Sequence, residues 1–419
     1  MTRFVGQGRS EVTLAEELVS VEEHLEGILQ SLPAAEPIEL RLVDALGLVV
    51  AEDVVSEVAL PAFTNSAMDG YAVVAGDLVD ATEHSPTQLP VIGEVAAGAL
   101  ELPVIGSGRV ARIMTGAPVP PGADAVVPVE VTSGGATQVA FHRPASPGEN
   151  IREPGGDLTP GTPLVSAGRR LTPADVALLA ATGVTRVRCL PPPRVVVLSS
   201  GDELVRPEDQ PRTGQIRDSN GPMLSALVRA AGGVPFSTGI VRDDRKALMH
   251  AFDSNSGHAD LFVCTGGASA GTRDLMPDVL SVLGNARSVK VAMKPGMPQI
   301  RGRVGKVPVI GLPGNPVSAF VSFEVFVRPA IRRLQGRRDV ARPTVNAVAG
   351  AAITAPPHKR GYTRVRLSRD QGRWVATPTG PQGSHLITSI ARADGLAVVP
   401  EEVTEIPAGE QVQVHLLVD

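Results

Sequence analysis

The chain has 419 residues and a formal net charge of −5, with 43% apolar but only 3% aromatic residues. That length predicts roughly three domains with aliphatic cores. The acidic balance and the lack of a long basic run argue against nucleic-acid binding. The sequence contains no run of about 20 apolar residues, so no membrane-spanning helix is predicted. The acidic N-terminus does not resemble a signal peptide. The 44 glycines and 37 prolines indicate short strands joined by tight turns.

The first half of the chain alternates between helical and β-rich patterns. Ser20-Val-Glu-Glu23 has the spacing of a capping box and precedes apolar residues at helical intervals. A second short helix is predicted over 41–47. Short β-rich pieces punctuated by Gly and Pro predict a β module over 50–165. Thr172-Pro173 is typical of a helix start, and we expect the segment 166–188 to pack with the first helices.

After the proline run 191–193 the pattern becomes α/β. Short continuous apolar strands alternate with helices, which predicts a parallel sheet covered on both faces. The strands are predicted at Arg194–Leu198, Leu261–Cys264, Lys290–Met293 and Val307–Leu312, and the helices begin near Asn220, Asp243 and Asn315. From about 340 short strands return, with a hairpin turn at Asp370-Gln-Gly372.

The two cysteines, Cys189 and Cys264, form no CxxC pair. Cys264 stands within an apolar run, which predicts a buried thiol. A structural disulfide is therefore not expected, and the cysteine content fits a reducing, cytoplasmic location.

Two candidate loops follow strands of the α/β module, where open parallel sheets bind ligands. In Ser199-Ser-Gly-Asp202-Glu203, small residues allow a ligand to approach the backbone, and two carboxylates follow. In Thr265-Gly-Gly through Asp274, which includes Ser269, glycines and hydroxyls leave backbone N–H groups available to a phosphate. On their own, both patterns fit an ordinary turn equally well.

A third candidate combines Lys290 to Pro298 with the turn that contains Pro313 and Pro316. Lys290 and Lys294 are four residues apart, so in one strand both would point to the same face and reach one anion. The alternative is two exposed lysines on an edge strand. A lysine pair facing a Gly-rich loop would suit phosphate or molybdate, which are both tetrahedral oxyanions.

Four acids accompany these loops, namely Asp157, Glu203, Asp243 and Asp274. Carboxylate oxygens suit Mg²⁺, which commonly bridges protein acids to a substrate phosphate. No His/Cys cluster has zinc-ligand spacing, and no Gly-x-Ser-x-Gly elbow is present.

Seven collinear motifs carry a family resemblance. They are Asn65-Ser-Ala-Met-Asp69-Gly-Tyr-Ala-Val, Arg112-Ile-Met-Thr115-Gly-Ala-Pro, Gly148-Glu-Asn-Ile-Arg152 with Asp157, Ser200-Gly-Asp-Glu203-Leu, Thr265-Gly-Gly through Asp274, Lys290 to Pro298, and Leu312-Pro-Gly-Asn-Pro-Val-Ser318. Over about residues 10–419 the chain resembles the MoeA family of molybdopterin molybdenumtransferases, which includes the E domain of gephyrin. Thr64 stands where many members carry an acid.

The resemblance implies a multidomain fold of the α/β and β classes. A central molybdopterin-binding α/β domain with a parallel sheet would cover 190–335, and a β-rich domain 50–165. A discontinuous helical linker domain would combine 10–48 with 166–188, and a small β-barrel-like domain would cover 340–419. Family members are homodimers, with the site between the α/β domain of one subunit and the β domain of the other.

The implied activity is insertion of molybdate into adenylylated molybdopterin with release of AMP, aided by Mg²⁺ or another divalent cation. By motif match, the implied catalytic residues are Thr115, Asp157, Glu203, Asp243 and Asp274, with Glu203 and Asp274 as metal ligands. The implied substrate-binding residues are Lys290, Lys294, Ser269, Pro313 and Pro316. The molybdopterin adenylyltransferase of the same pathway is an implied partner.

Two functions stay open on the sequence. One is the enzyme; the other is a gephyrin-like scaffold that binds a short peptide of a cytoskeletal, cell-division or membrane protein, with reduced or absent activity. The intact acids and lysines favour the enzyme, whereas Thr64 is a mild point for the scaffold. An unrelated nucleotide-binding α/β protein would leave the motifs outside the α/β module unexplained.

Overall fold

The computed structural model of the chain describes residues 18–266 and 275–417. They form two compact units. The larger unit combines 18–38 with 189–417, and the smaller unit spans Glu39–Arg188. None of the described helices is long and apolar enough to cross a membrane. Both cysteines are buried free thiols, which confirms the prediction for Cys264, and the division into four domains stays a prediction.

The helices are short. In chain order the described helices are α1 (Val21–Ser31), α2 (Leu42–Ala45), α3 (Pro173–Ala181), α4 (Asn220–Ala230), α5 (Arg245–Ser256), α6 (Leu275–Leu283), α7 (Pro316–Ser322), α8 (Arg328–Leu334) and α9 (Ile387–Ala391). A π-helical turn over Phe323–Val327 joins α7 to α8. Two 3-10 turns cover Ala75–Leu78 and Val129–Val131.

The strands outnumber the helices. Up to residue 190 they are β1 (Ile38–Arg41), β2 (Val49–Val50), β3 (Val54–Val55), β4 (Asn65–Ser66), β5 (Gly70–Val73), β6 (Thr87–Val95), β7 (Val110–Ile113), β8 (Ala125–Pro128), β9 (Gln138–Phe141), β10 (Ile151–Arg152), β11 (Pro163–Val165) and β12 (Arg186–Leu190). Beyond it they are β13 (Arg194–Ser200), β14 (Leu204–Val205), β15 (Ile216–Arg217), β16 (Val234–Val241), β17 (Leu261–Thr265), β18 (Arg287–Lys290), β19 (Met293–Lys294), β20 (Pro298–Val304), β21 (Val307–Leu312), β22 (Thr344–Ala349), β23 (Ile353–Thr354), β24 (Arg360–Asp370), β25 (Arg373–Pro378), β26 (Gly395–Val399), β27 (Glu405–Ile406) and β28 (Gln411–Leu416).

Two predicted helix starts follow from capping. The Ser20 hydroxyl accepts the Glu23 N–H at the start of α1. At the start of α3, Thr172 accepts the Asp175 N–H and Asp175 accepts the Thr172 N–H, which forms a reciprocal capping box. α1 lies in the larger unit and contacts α8, whereas α2 contacts α3 in the smaller unit.

The smaller unit is built on a five-stranded sheet in the order β8-β5-β7-β6-β9. Only β6 and β7 run parallel within it. Tyr71, Phe141 and aliphatic side chains form its core. The short pairs β3–β11 and β4–β10 bring distant loops together.

The larger unit contains a six-stranded sheet in the order β16-β13-β17-β21-β20-β18. The first four strands are parallel, as predicted, but β20 runs antiparallel to both of its neighbours, β21 and β18. Alternating residues of β13 face two different cores, so helices cover both faces. α1, α4, α7 and α8 contribute to one core, and α5 and α6 to the other.

The prediction of one strand over Lys290–Met293 is wrong. β18 ends at Lys290, and the next two residues leave the sheet, because Val291 N–H donates to Met297 and Ala292 N–H donates to Val19. Met293 and Lys294 then pair with β24 of a different sheet.

The C-terminal part forms a closed barrel, which confirms the barrel-like prediction. Its strands follow the order β24-β25-β22-β28-β26, and a further pairing of β24 with β26 closes it. The predicted hairpin turn joins β24 to β25, where Gln371 (φ 46°) and Gly372 (φ 81°) adopt left-handed conformations.

Candidate functional site

The carboxyl ends of the parallel strands form one edge of the six-stranded sheet. The register places Ser199 beside Thr265 and Thr265 beside Leu312. β20 runs the opposite way, so its first residue, Pro298, lies at this same edge beside Lys290. We call this the strand-end edge. It is where ligands bind in open α/β sheets, and it gathers the loops that the sequence singled out.

The loops after β13 and β16 are tied together at this edge. Ser200 Oγ donates to the Asp243 carboxylate, and Asp243 N–H donates to Asp202 Oδ1 at 3.2 Å. The Glu203 carboxylate folds back against Gly201, where an added Cβ would lie 2.6 Å from Glu203 Oε2. Two neighbouring loops therefore present the acids Asp202, Glu203 and Asp243, all exposed.

Glycine allows the end of β17 to approach the end of β13. Gly266 has φ +88°, and a Cβ there would lie 2.1 Å from the Ser200 carbonyl oxygen. Only a residue without a side chain fits this position and conformation. The glycine at position 266, with which the second loop leaves β17, thus has a structural cause. Ser269 and Asp274, predicted in the rest of that loop, lie outside the described residues.

Asn220 joins the ends of two strands, β17 and β21, and was not predicted to act at the site. Its Nδ2 donates to Thr265 Oγ1 (3.0 Å) and to the Gly314 carbonyl (2.7 Å). Thr265 Oγ1 in turn donates to the carbonyl of Pro313 (3.2 Å). The Asn220 Oδ1 atom is buried and has no hydrogen-bond partner among the described residues. It is an acceptor available to a ligand, since buried polar atoms are normally paired.

The two prolines shape the turn after β21. Pro313 is buried, and Pro316 is the first residue of α7, where its fixed φ suits a helix start. Asn315 Nδ2 donates to Ser384 Oγ at 3.1 Å, and Val317 N–H donates to the Ser384 carbonyl. Ser384 therefore reaches this turn from the C-terminal part, a contact that no local sequence pattern indicates.

The lysines lie on one loop but not on one strand. Lys290 ends β18 and is half-buried, whereas Lys294 is exposed in β19, three residues before the loop closes at Met297. The same-face argument is therefore wrong for this pair, because the strand breaks between the two residues. Both lysines still belong to the loop that joins β18 to β20 at the strand-end edge.

Three of the motifs meet in the smaller unit around β4. Ser66 and Asn65 pair with Ile151 and Arg152. Ser66 N–H donates to Ala117, and its carbonyl accepts from Gly116. The motifs that begin at Asn65, Arg112 and Gly148 thus form one cluster, which we call the loop cluster.

Thr115 is bound tightly within the loop cluster. Its N–H and its Oγ1 both donate to Asp69 Oδ1, at 2.6 and 2.7 Å. These two bonds hold the pKa of the Asp69 carboxyl below its usual range. Asp157 is exposed, and its N–H donates to the Leu60 carbonyl at 2.9 Å. Asp69 is therefore a partner that was not among the predicted site residues, although its motif was recognised.

The Thr64 departure is accompanied by a nearby acid. Thr64 Oγ1 donates to Glu153 Oε2 at 3.1 Å. Glu153 follows Arg152 directly in the third motif, so a carboxylate lies within hydrogen-bond distance of the position where many family members carry one.

The donors near the strand-end edge are hard oxygen atoms of carboxylates, which suit Mg²⁺. Within residues 18–266 and 275–417, no three His, Cys, Asp or Glu side chains are grouped to hold a metal ion. Of the two predicted metal ligands, Glu203 is described and Asp274 lies outside the described residues.

Comparison with known proteins covers most of the chain. Residues 19–183 match the family described as “MoeA N-terminal region (domain I and II)”. Residues 196–333 match a “Probable molybdopterin binding domain”, and 346–417 match the “MoeA C-terminal region (domain IV)”. Together these matches define a protein of molybdenum cofactor biosynthesis built around a molybdopterin-binding domain.

Relatives and a solved structure extend this likeness along the chain. The chain is 43% identical over 401 residues to molybdopterin molybdenumtransferase 2 of Mycobacterium tuberculosis, covering 94% of this chain and 98% of that protein. It is 35% identical to the molybdopterin molybdenumtransferase of Haemophilus influenzae, covering 93% and 97%. The crystal structure of a molybdopterin biosynthesis MoeA protein from Pyrococcus horikosii matches with a TM-score of 0.82 at 34% identity, covering 96% and 99%. The chain belongs to the MoeA family, as its seven motifs predicted.

Proposed function

We propose that the chain inserts molybdate into adenylylated molybdopterin and releases AMP. The observation that carries the proposal is the convergence of lysines, acids and glycine-rich loops on the strand-end edge of the molybdopterin-binding domain. The relatives that are named for this activity match the chain over nearly their whole length. Because the substrate's own dithiolene sulfurs bond molybdenum, the buried thiols of Cys189 and Cys264 need not take part.

The strand-end edge supplies the charge that this reaction needs. Breaking the phosphoanhydride of the adenylylated pterin with water leaves AMP and a pterin phosphate, so negative charge on both products must be stabilised. In our proposal Lys290 and Lys294 bind these oxyanions and molybdate. Ser269 binds the substrate, Pro313 and Pro316 shape the molybdate pocket, and Glu203 and Asp243 orient the attacking water.

A divalent cation is part of the proposal. Glu203 and Asp274 are its predicted ligands, and Mg²⁺ bound there would neutralise charge on the substrate phosphates. The acids within the described ranges do not complete a metal site by themselves, so substrate oxygens and Asp274 would have to supply the remaining ligands.

The rest of the proposal concerns further catalytic residues, the oligomeric state, the location and the source of the substrate. Thr115 and Asp157 of the loop cluster contribute to catalysis, and the chain acts as a homodimer in the cytoplasm. It receives its adenylylated substrate from a molybdopterin adenylyltransferase. The scaffold alternative gains no support from the fold or from the names of the relatives.

The test is cofactor synthesis in vitro. Purified protein is incubated with adenylylated molybdopterin, molybdate and Mg²⁺, and both AMP release and reconstitution of an apo-molybdoenzyme are followed. We expect AMP release that depends on molybdate and on the divalent cation, with active cofactor as product. A folded protein that binds the pterin but releases no AMP would refute the proposal, and chelation without effect would refute the metal part alone.

A further inference from the structure

A second basic site lies on β18 and β20 of the same sheet. Arg287 and Arg301 are direct partners on the antiparallel strands β18 and β20, and Arg303 follows two residues along β20. On its other side Arg301 pairs with Ile310 in the middle of β21, and Arg303 pairs with Pro308 near the start of that strand. The three arginines are therefore separate from the strand-end edge that the proposed function uses.

The three arginines line a cavity of about 380 Å³. Its wall also includes Gly27 and Ser31 of α1, together with Asn285 and Gly302. The volume is large enough for a phosphate group with a small substituent.

Two of the arginines are held in place by the backbone of α1. Arg301 Nη1 donates to the carbonyls of Glu23 and His24, at 3.2 and 3.3 Å, and Arg303 Nη2 donates to the carbonyl of Ser31. Gly27 is needed for this arrangement, because a Cβ there would lie 1.8 Å from Arg301 Nη1. The guanidinium groups are thus positioned before any ligand arrives.

The charge of this cavity is not neutralised by acids. Across the described ranges, Arg287, Arg301 and Arg303 form no ion pair with a carboxylate. Like charges directly opposite each other on neighbouring strands are destabilising, and here Arg287 faces Arg301. An arrangement that costs stability and encloses a cavity indicates a missing counter-charge.

We infer that this arginine pocket binds a phosphate group, either free or on a small ester. A guanidinium presents two parallel N–H donors that match the oxygens of phosphate. Arg287 is exposed and its side chain makes no hydrogen bond within the described chain, so its donors are available. Bound phosphate would replace the repulsion between Arg287 and Arg301 with attraction from both sides.

Calorimetric titration of the full chain with inorganic phosphate, pyrophosphate and glycerol phosphate tests this inference. In Arg287→Gln we expect the dissociation constant to rise at least tenfold, since charge-assisted hydrogen bonds are about twice as strong as neutral ones. Arg366→Gln is the matched control, because Arg366 is an exposed barrel residue whose replacement changes the net charge equally. The preferred probe identifies whether free phosphate or an ester is the better ligand.

Two further measurements separate phosphate binding at the arginine pocket from binding at the strand-end edge and from a purely structural role of Arg287. Lys294→Ala tests the strand-end edge: a dissociation constant that rises in Lys294→Ala but not in Arg287→Gln would place the bound phosphate there and overturn the inference, whatever the result of the AMP-release assay. Without phosphate, Arg287→Gln should unfold at the same temperature as the wild type or higher, because a repulsive pair is removed. No binding by the wild type, equal binding by Arg287→Gln, or a lower unfolding temperature for that variant without ligand would each overturn the inference.

Discussion

The loop cluster of the smaller unit and the strand-end edge of the larger unit satisfy their polar atoms differently. In the loop cluster, Thr115 uses both donors on Asp69, and Asn150 Nδ2 donates to the carbonyl of Val126. In the larger unit, the described residues include buried side-chain atoms that have no hydrogen-bond partner. Among them are the Asn220 Oδ1 atom at the strand-end edge and both ring nitrogens of His24.

This difference indicates that the loop cluster and the strand-end edge have different roles. A closed hydrogen-bond network holds its members in one geometry, so the loop cluster is suited to position loops. Open donors and acceptors at the strand-end edge are suited to contact a substrate. Replacing a residue at the open edge should therefore change activity more than replacing one member of the closed network.

The largest effect is expected from Lys294→Ala. Lys294 is exposed, so its removal should spare the fold but take one cation from the developing oxyanions. We expect kcat/KM for molybdate insertion to fall by about 10²–10³, the effect of removing one oxyanion donor. The measurement is the AMP-release assay, with thermal unfolding as a check on the fold.

Lys306→Ala is the matched control for this variant. Lys306 is exposed in the turn between β20 and β21, at the edge away from the site. It should keep wild-type activity. Full activity in Lys294→Ala would remove this lysine from the site and weaken the contrast between the two units.

The next effect concerns how closely the strand ends approach each other. Gly266→Ala would place a methyl group 2.1 Å from the Ser200 carbonyl oxygen at φ +88°. We expect the free energy of unfolding to fall by about 2–3 kcal/mol, from the clash together with left-handed strain. Gly116→Ala in the loop cluster is the control, since Gly116 has φ +80° and no atom within 4 Å of an added Cβ.

Urea unfolding of the two variants distinguishes strain from close approach. Gly116→Ala should lose only about 1 kcal/mol, the cost of the left-handed conformation alone. Equal losses of unfolding free energy in both variants would mean that the ends of β13 and β17 can separate without cost. The two strand ends would then not be closely packed.

The third effect is a dependence of stability on pH, which arises from the unpaired ring nitrogens of His24 in the larger unit. His24 is fully buried, and burial, with a smaller contribution from the charge of Arg301, lowers its pKa to about 3. The unfolded chain binds a proton at this residue below about pH 6.5, whereas the folded chain does not. Stability should therefore fall as pH drops from about 6.5 towards about 3.

His24→Leu should remove this dependence. At pH 5 the wild type should have lost about 2 kcal/mol relative to neutral pH through this residue, at 1.36 kcal/mol per pKa unit. The control is His84→Leu in the smaller unit, where the histidine is exposed. Urea unfolding at pH 7 and pH 5 measures the difference, and an unchanged slope in His24→Leu would rule out this histidine as the source.

The sequence predicted the parts of the larger unit that depend on local pattern. The buried strands β13, β17 and β21 and the caps of α1 and α3 follow from apolar runs and from side chains within three residues. The strand β20 was missed because Gly302 and two arginines interrupt its apolar pattern. The break after Lys290 was missed because Val19, which binds Ala292, is far away in the chain.

The site residues also divide into those that local motifs indicate and those that depend on tertiary contacts. The motifs predicted Glu203, Asp243 and Thr115 as site residues, and all three lie in loops, but their roles in the reaction stay a prediction. Asn220 and Ser384 were missed as site residues because their contacts depend on tertiary packing between separate strand ends and helices. Thr64 reaches the Glu153 carboxylate through a contact across 89 residues of the chain, which no spacing rule indicates.

The smallest effect is expected within the closed network. Thr115→Ala removes the Oγ1 bond to Asp69 but keeps the backbone N–H bond. One hydrogen bond contributes about 1 kcal/mol, so activity should fall by about tenfold or less. Because the Thr115 bonds lower the pKa of Asp69, that pKa should rise towards its usual value. Carboxyl NMR titration measures the pKa, and Thr115→Ser, which keeps the hydroxyl, should restore both properties. A hundredfold loss of activity that Thr115→Ser does not restore would mean that the threonine methyl group acts at the reaction itself, and the loop cluster could no longer be regarded as a positioning network.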